Sequence, residues 1–399
     1  MPGRISRDKR PVPRHRRAMG FFAHRSHPSP HASTGAIATA ALAAMVAVGA
    51  NGFPGPARAS AAPPPGPVAA SLVEKIPLSQ HPVSTIAPAR MSLPGGALLP
   101  LYLSGDWDHP RPDIVRAVIS IHGLFRDADN YHRTAEHALA AAGAAGTGTL
   151  LVTPQFLDDV DLDRRDAARN PSAPLLRWHD QSWIDGEPAS GPAPLSAFDV
   201  IDAMLARLSD PRLFPALKRI VLVGHSAGGQ FVQRYALLGK GIDRLASHGI
   251  AMRFLVANPS SYAWLDRSRP VPPSPACATT DRWKYGLDSL PPYGAGRSRE
   301  AIVRSYARRD ITYLLGARDI NPNQTLLDRS CAAEAQGPSR FARGHNFFAA
   351  FGARLAAGHQ SLHDIPGVGH NGDRMTVNGC ALRAVYDTGD CPAAASGGG

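Results

Sequence analysis

From residue 98 onward, short apolar runs alternate with longer amphipathic stretches. Leu98–Leu103, Ala117–Ile121, Leu150–Thr153, Ile220–Val223, Arg253–Ala257, Ile311–Leu315 and Leu362–Ile365 are apolar or β-branched and bounded by turn residues. Such runs predict strands, the first of them an antiparallel edge strand and the inner ones buried on both faces. Asn130 to Gly143 contains an alanine-rich helix, and Ala197–Leu208 places Phe198, Ile201, Met204, Leu205 and Leu208 at helical spacing, an apolar stripe that predicts cover for one sheet face. Strands and helices in alternation predict an α/β chain, with a mostly parallel sheet and helices on both faces. Residues 262–309, proline- and glycine-rich from Pro270 to Arg309, interrupt the rhythm and are expected to form a small cap or loop insertion over the cleft.

One junction in this pattern carries chemistry. The apolar run Ile220–Val223 feeds Gly224-His225-Ser226-Ala227-Gly228-Gly229, and Gln230–Tyr235 beyond it reads as a helix. A strand, a Gly-x-Ser-x-Gly turn and a helix form the nucleophile elbow of a serine hydrolase. The turn is so sharp that a side chain at Gly224 or Gly228 is expected to collide with its neighbours. Ser226 is then held in a strained conformation that pushes its oxygen into the cleft.

A serine hydroxyl needs a histidine base, itself oriented by a carboxylate. In an open parallel sheet the cleft lies beyond the carboxyl ends of the strands, which separates candidates of one residue type. Asp310 stands before the strand Ile311–Leu315, Asp319 follows it through Gly316-Ala317-Arg318, and Asp328 lies further along a polar loop. Asp319 is therefore the expected carboxylate. His359 and His363 lie before or within the last strand, whereas His370 follows it in the glycine-rich loop Pro366–Gly372, so His370 is the expected base. The Ala227 amide and one from the turn His122-Gly123-Leu124-Phe125 are expected to form the oxyanion hole, Leu124 before Phe125. His122 is expected to brace this turn, and His225 to pack or hydrogen-bond locally. Phe125, Trp183 and Tyr262 are the expected substrate-binding residues, with Trp178, Trp264 and Trp283 as further loop aromatics that either line an acyl site or pin their loops to the core.

The order Ser226, Asp319, His370 resembles that of the α/β-hydrolase superfamily, and the resemblance runs from about Leu98 to Tyr386. Asn258-Pro259-Ser260-Ser261-Tyr262 and Gln336-Gly337-Pro338-Ser339-Arg340-Phe341 resemble segments of a group of secreted bacterial hydrolases, themselves similar, more distantly, to polyester depolymerases and feruloyl-type esterases. The resemblance implies the α/β-hydrolase fold and hydrolysis of a small-molecule or polymeric ester through an acyl-enzyme, with no cofactor. The oxyanion turn lacks the Gly-Gly-Gly extension of one lipase and esterase branch, so that branch's preferences do not transfer. An amide or peptide hydrolase of the same fold is the first alternative, and a binding protein on a hydrolase scaffold the second.

Composition changes the picture at the ends of the chain. The formal charge is +11, but residues 1–34 alone hold eight Lys or Arg against Asp8. The excess belongs to a leader and forms no binding face, which argues against nucleic acid as a partner. The apolar run Gly35–Ala50 follows, then A-x-A patterns at 57–59 and 59–61, so residues 1–61 are expected to be an extended export signal, or one whose translation begins at Met19. A run so short and alanine-rich is a poor membrane span, and none is expected after the leader is cleaved. Residues 62–90 are expected as a proline-rich linker, 91–391 as the catalytic domain and 392–399 as a disordered tail. Cys277, Cys331, Cys380 and Cys391 allow three pairings; Cys380–Cys391, closing a short loop, with Cys277–Cys331 is the expected one, in a periplasmic or extracellular protein. No cysteine or histidine spacing suggests a metal site. Asp158–Asp163 lacks the glycine and terminal glutamate of a calcium loop and is expected to be a solvated acidic loop.

Overall fold

The computed structural model describes residues 81–162, 174–355 and 359–392. The expected leader, the linker as far as residue 80 and the tail from 393 lie outside them. Ten strands follow in chain order: β1 (Ala89–Ser92), β2 (Leu98–Leu103), β3 (Arg116–Ile121), β4 (Thr149–Pro154), β5 (Leu157–Asp158), β6 (Arg177–Trp178), β7 (Arg219–His225), β8 (Ala251–Ala257), β9 (Asp310–Gly316) and β10 (Gln360–Ile365). Eight of them build one sheet in the order β1-β2-β4-β3-β7-β8-β9-β10, parallel throughout except for β1–β2 and β2–β4. β5 and β6 pair separately.

Two expectations change here. Leu98–Leu103 is antiparallel, but it is not the edge: β1 covers its outer side, pairing Met91 with Leu99. β1 also begins inside the expected linker. The residues before it are tied to the core, the Val83 N–H donating to Asp161 Oδ1 at 2.8 Å and the Ala87 N–H to Gln155 Oε1 at 2.8 Å.

The helices are α1 (Ala128–Ala142), α2 (Asp159–Leu162), α3 (Ala197–Leu208), α4 (Ala227–Leu238), α5 (Ile242–Ser247), α6 (Arg299–Tyr306), α7 (Cys331–Glu334), α8 (Arg340–Leu355), α9 (Gly372–Thr376) and α10 (Gly379–Tyr386). Side chains alternate across each strand, so the inner strands feed two cores. Ile119, Ile121 and Leu222 pack with Phe198 and Met204 of α3, Phe231 of α4 and Phe347 of α8. Val118, Val221 and Leu255 pack on the opposite face with Ala135 of α1, Met375 of α9 and Val385 of α10. α3 starts on a capping box, in which Ser196 Oγ accepts from the Phe198 N–H and Asp199 accepts from the Ser196 N–H. Among the described residues, no helix is long and apolar enough to cross a membrane.

Topology places the site. The chain leaves β3 toward β4 on one side and later returns to pair β7 on the other side of β3, with Ile121 opposite Gly224. The loops leaving β3 and β7 therefore diverge and open a crevice at the carboxyl end of the sheet. After β8 the chain makes the long excursion spanning residues 262–309. It packs on α3, α4 and the turn before them: Trp283 Nε1 donates to Asp185 O (2.7 Å), Tyr293 Oη to Asp202 Oδ2 (2.7 Å) and Arg297 to Leu238 O (2.8 Å). Disulfides join Cys277 to Cys331 and Cys380 to Cys391.

Candidate active site

Ser226 sits between β7 and α4 with φ 60° and ψ −122°, a conformation costing about 1–3 kcal/mol for a residue with a side chain. The positions two before and two after it must be glycine. A Cβ on Gly224 would lie 2.2 Å from Gly228 O, and one on Gly228 would lie 2.3 Å from Ile121 O. The Ser226 N–H donates to Ala257 O (3.0 Å), fixing the elbow to β8.

His370 and Asp319 arrive from the next two strands. His370 Nε2 lies 2.9 Å from Ser226 Oγ, and Nδ1 lies 2.7 Å from Asp319 Oδ2. A carboxylate only accepts, so Nδ1 carries the proton and donates, which leaves Nε2 to accept from the serine hydroxyl. Of the aspartates weighed from the sequence, Asp310 begins β9 and bonds Arg253, and Asp328 accepts from Tyr285 Oη (2.8 Å). Burial pushes His370 below its ordinary 6.5; the Asp319 hydrogen bond raises it and the Arg340 charge lowers it. His225 packs 4.5 Å from the His370 ring, held well below 6.5 by burial and by the positive charge near it, so it stays neutral beside His370.

Two groups that the sequence reading did not pick hold these loops. Asn258, fully buried at the end of β8, accepts from the Gly316 N–H (2.8 Å) and donates to Gly369 O (3.3 Å), so one side chain spans the loops that carry Asp319 and His370. Arg340, 1% exposed, points Nη1 at Asp319 Oδ1 (3.5 Å) and at Gln324 Oε1 (3.0 Å), while Nη2 donates to Leu326 O (2.7 Å). Both lie in the two segments that carried the resemblance, which was their only signal.

The β3 turn faces the elbow. His122 is completely buried, donating from Nδ1 to Gly123 O (2.8 Å) and accepting at Nε2 from the Phe156 N–H (2.9 Å). Burial pushes its pKa down to about 4, so it is a neutral brace. Leu124 and Ala227 both line the cavity that holds Ser226, and among the described residues neither amide N–H has an acceptor.

Arg126, at φ 58°, ends this turn. Its Nε and Nη2 meet the two oxygens of Asp161 at 2.7 and 3.0 Å, with both side chains at zero exposure. Asp161 also accepts from the Val83 and Asp158 N–H groups. The expectation of a solvated acidic loop is thus corrected at Asp161, because the guanidinium and two backbone donors replace its water; residue 163 lies outside the described residues. Asp161→Asn removes the carboxylate charge that faces the buried Arg126 guanidinium and turns an amide N–H₂ toward donors. It is expected to cost about 3–5 kcal/mol, read as a lower urea midpoint at unchanged slope; a loss under about 1 kcal/mol would show that the pair is not buried in solution.

Two cavities meet at Ser226. One, about 400 Å³, is walled by Gln181, Ile184, Gln230, Ser260, Lys284, Tyr285 and the segment 325–328. The other, about 330 Å³, runs past Phe125, Asp127, Asn130, His370 and Asp373. Leu124 and Leu326 line both. Phe125 is exposed in the second cavity. Trp183 and Tyr262 are corrected: both are fully buried and line neither cavity. Trp183 stacks on Phe156 and Tyr262 on Phe347, so their ring faces belong to the core. Trp178 and Trp264 are buried likewise, and these aromatics pin loops to the core.

Sheet order, elbow and strand-end loops define the α/β-hydrolase fold. The solved structure of LpqC, poly(3-hydroxybutyrate) depolymerase from Bordetella parapertussis, is similar over 74% of this chain and 86% of that chain, with 24% identity and a TM-score of 0.51. Poly(aspartic acid) hydrolase-1 from Sphingomonas sp. KT-1 is similar over 76% of this chain and 99% of that chain, with 20% identity and a TM-score of 0.52. At these identities the likeness is one of fold. No family model matches the chain, and no curated protein matches it.

Proposed function

We propose that this protein is an exported serine hydrolase that cleaves carboxylic esters through an acyl-enzyme. The observation that carries the reading is the hydrogen-bonded chain from Ser226 Oγ to His370 to Asp319, at 2.9 and 2.7 Å, opening on a cavity. Ser226 Oγ attacks the ester carbonyl as His370 Nε2 takes its proton, and Asp319 holds the tautomer and stabilises the imidazolium. The Ala227 and Leu124 amides receive the negative charge that develops on the carbonyl oxygen. His370 then protonates the departing alcohol, and water, activated by the same imidazole, releases the acid. Every step uses groups of this chain. Two disulfides suit an oxidising compartment, which supports a periplasmic or extracellular site of action.

A polymer-cleaving role is the first variant of this reading. The two solved structures reported above are named as hydrolases of polymers, and cavities lie on both sides of Ser226. An amide or peptide hydrolase is the second. One set of assays separates them: kcat/KM across pH 5–9 on short-chain, long-chain, aromatic and polymeric esters and on p-nitroanilide peptides. Esters are expected to turn over and anilides to lag by orders of magnitude. The base works unprotonated, and burial lowers its pKa, so the acid limb is expected to have its midpoint below 6.5 with a plateau at neutral pH. Anilides cleaved as well as esters would replace the esterase reading by the amidase one. An acid limb centred above 7 would remove His370 as the buried base.

A further inference from the structure

Gln230 is the group in the cleft that the mechanism leaves unused. It lies one turn beyond Ser226 on α4, its backbone N–H donating to Ser226 O at 3.1 Å, and its side chain is more than nine-tenths buried. The amide has one allowed orientation. Its Oε1 accepts from Arg234 Nη2 (3.1 Å) and from Ser261 Oγ (2.9 Å). A guanidinium only donates, so the oxygen must face it and Nε2 must face away. Among the described residues Nε2 meets no acceptor, and Gln230 lines the same cavity as Ser226.

The carboxylate in that wall already holds partners of its own. Asp328 is occupied by Tyr285 Oη (2.8 Å) and by the Ser330 N–H (3.0 Å). The cation in the wall, Lys284, is neutralised in part by Asp185 at 3.3 Å. With no acceptor from the described residues, Nε2 is left to solvent water. An alkyl acyl chain expels that water and returns nothing, whereas an acyl chain bearing a suitably placed oxygen replaces the lost bond.

We infer that this cavity receives acyl groups carrying a second oxygen acceptor beyond the scissile carbonyl, and that the Gln230 amide selects them. The inference rests on the ester-hydrolase reading and names its substrate class. The shared chemistry is an oxygen lone pair, which a neutral ketone or ester and a carboxylate all supply.

The test compares p-nitrophenyl 4-oxopentanoate and 5-oxohexanoate with the pentanoate and hexanoate, each kcat/KM divided by the ester's own hydroxide-catalysed rate. The full protein is expected to favour at least one oxo ester over its alkyl partner about tenfold or more. Gln230→Glu keeps an oxygen toward Arg234 and Ser261 but sets acceptor against acceptor, and is expected to bring the ratio to one or below. The p-nitrophenyl hemisuccinate separates the sources: a further gain over the oxo esters assigns a carboxylate engaging Lys284, and a loss assigns a neutral oxygen. The ratio does not depend on the fraction of active protein, and the wild-type ratio decides alone if the variant fails to fold. Ratios near one for both pairs, or a preference that survives in Gln230→Glu, overturn the inference while leaving the esterase reading intact. Turnover of no ester at all overturns both.

Discussion

Ser226→Ala is expected to lower kcat/KM for a p-nitrophenyl ester by about 10⁴-fold or more and to abolish covalent labelling by a fluorophosphonate, with the fold retained. The hydroxyl oxygen is the only heavy atom removed. It donates one hydrogen bond, to His370 Nε2 at 2.9 Å, and the imidazole keeps its second bond to Asp319. Alanine retains the Cβ, so the strained backbone at φ 60° is neither relieved nor worsened. The elbow bond from the 226 N–H to Ala257 O is also kept. Stability is therefore expected to change by less than about 1 kcal/mol. The Leu124 and Ala227 amides still polarise a bound carbonyl, so a small residual rate over water persists. Wild-type turnover in the alanine variant, or labelling at another residue with Ser226 untouched, would remove Ser226 as nucleophile and the acyl-enzyme with it. The binding-protein alternative makes the opposite forecast, since a scaffold without chemistry leaves even the native serine unlabelled.

The parts legible in the sequence are those set by local rules. The apolar runs mark the inner strands because strands buried on both faces tolerate few polar residues, whereas edge strand β10 shows only alternate burial, at Gln360, Leu362 and Ile365. The elbow is legible because only glycine clears the 2.2 and 2.3 Å approaches at Gly224 and Gly228. Asp319 and His370 follow from the end of the strand each stands on, and the fold brings both to Ser226. β1 escaped because Ala89-Arg-Met-Ser92 buries only Met91, so no run announces it. The ion pairs escaped for another reason. Arg126 and Asp161 are 35 positions apart, and Arg340 reaches back 21 positions to Asp319, so pairing appears only once the chain has folded. Trp183 and Tyr262 show the limit of residue type: an aromatic in a loop has no periodicity to say which way it faces, and both face inward.

Asp319→Asn is the second large effect, and Arg340 sets its sign. In the native site Oδ2 accepts the His370 Nδ1–H at 2.7 Å, while Oδ1 faces Arg340 Nη1 at 3.5 Å. An asparagine has one oxygen to share between two donors. The buried guanidinium cannot accept or lose its charge, so the amide oxygen is expected to stay with it and the N–H₂ to turn toward His370. Nδ1 must then become the acceptor, and the ring proton moves to Nε2, where it points at Ser226 Oγ. The base now donates where it has to accept. The expected loss is about 10⁴-fold in kcat, the size seen for the same change in chymotrypsin-type proteases. Stability should fall less than for removal of the whole side chain, because Arg340 keeps Gln324 and Leu326 O as partners. Nitrogen-15 shifts of the His370 ring distinguish the tautomers directly: protonation at Nδ1 in the native protein and at Nε2 in the variant. If the variant holds the native tautomer and keeps activity within about tenfold, the carboxylate at 319 neither orients the base nor stabilises its charge, and Arg340 loses its part in the site with it.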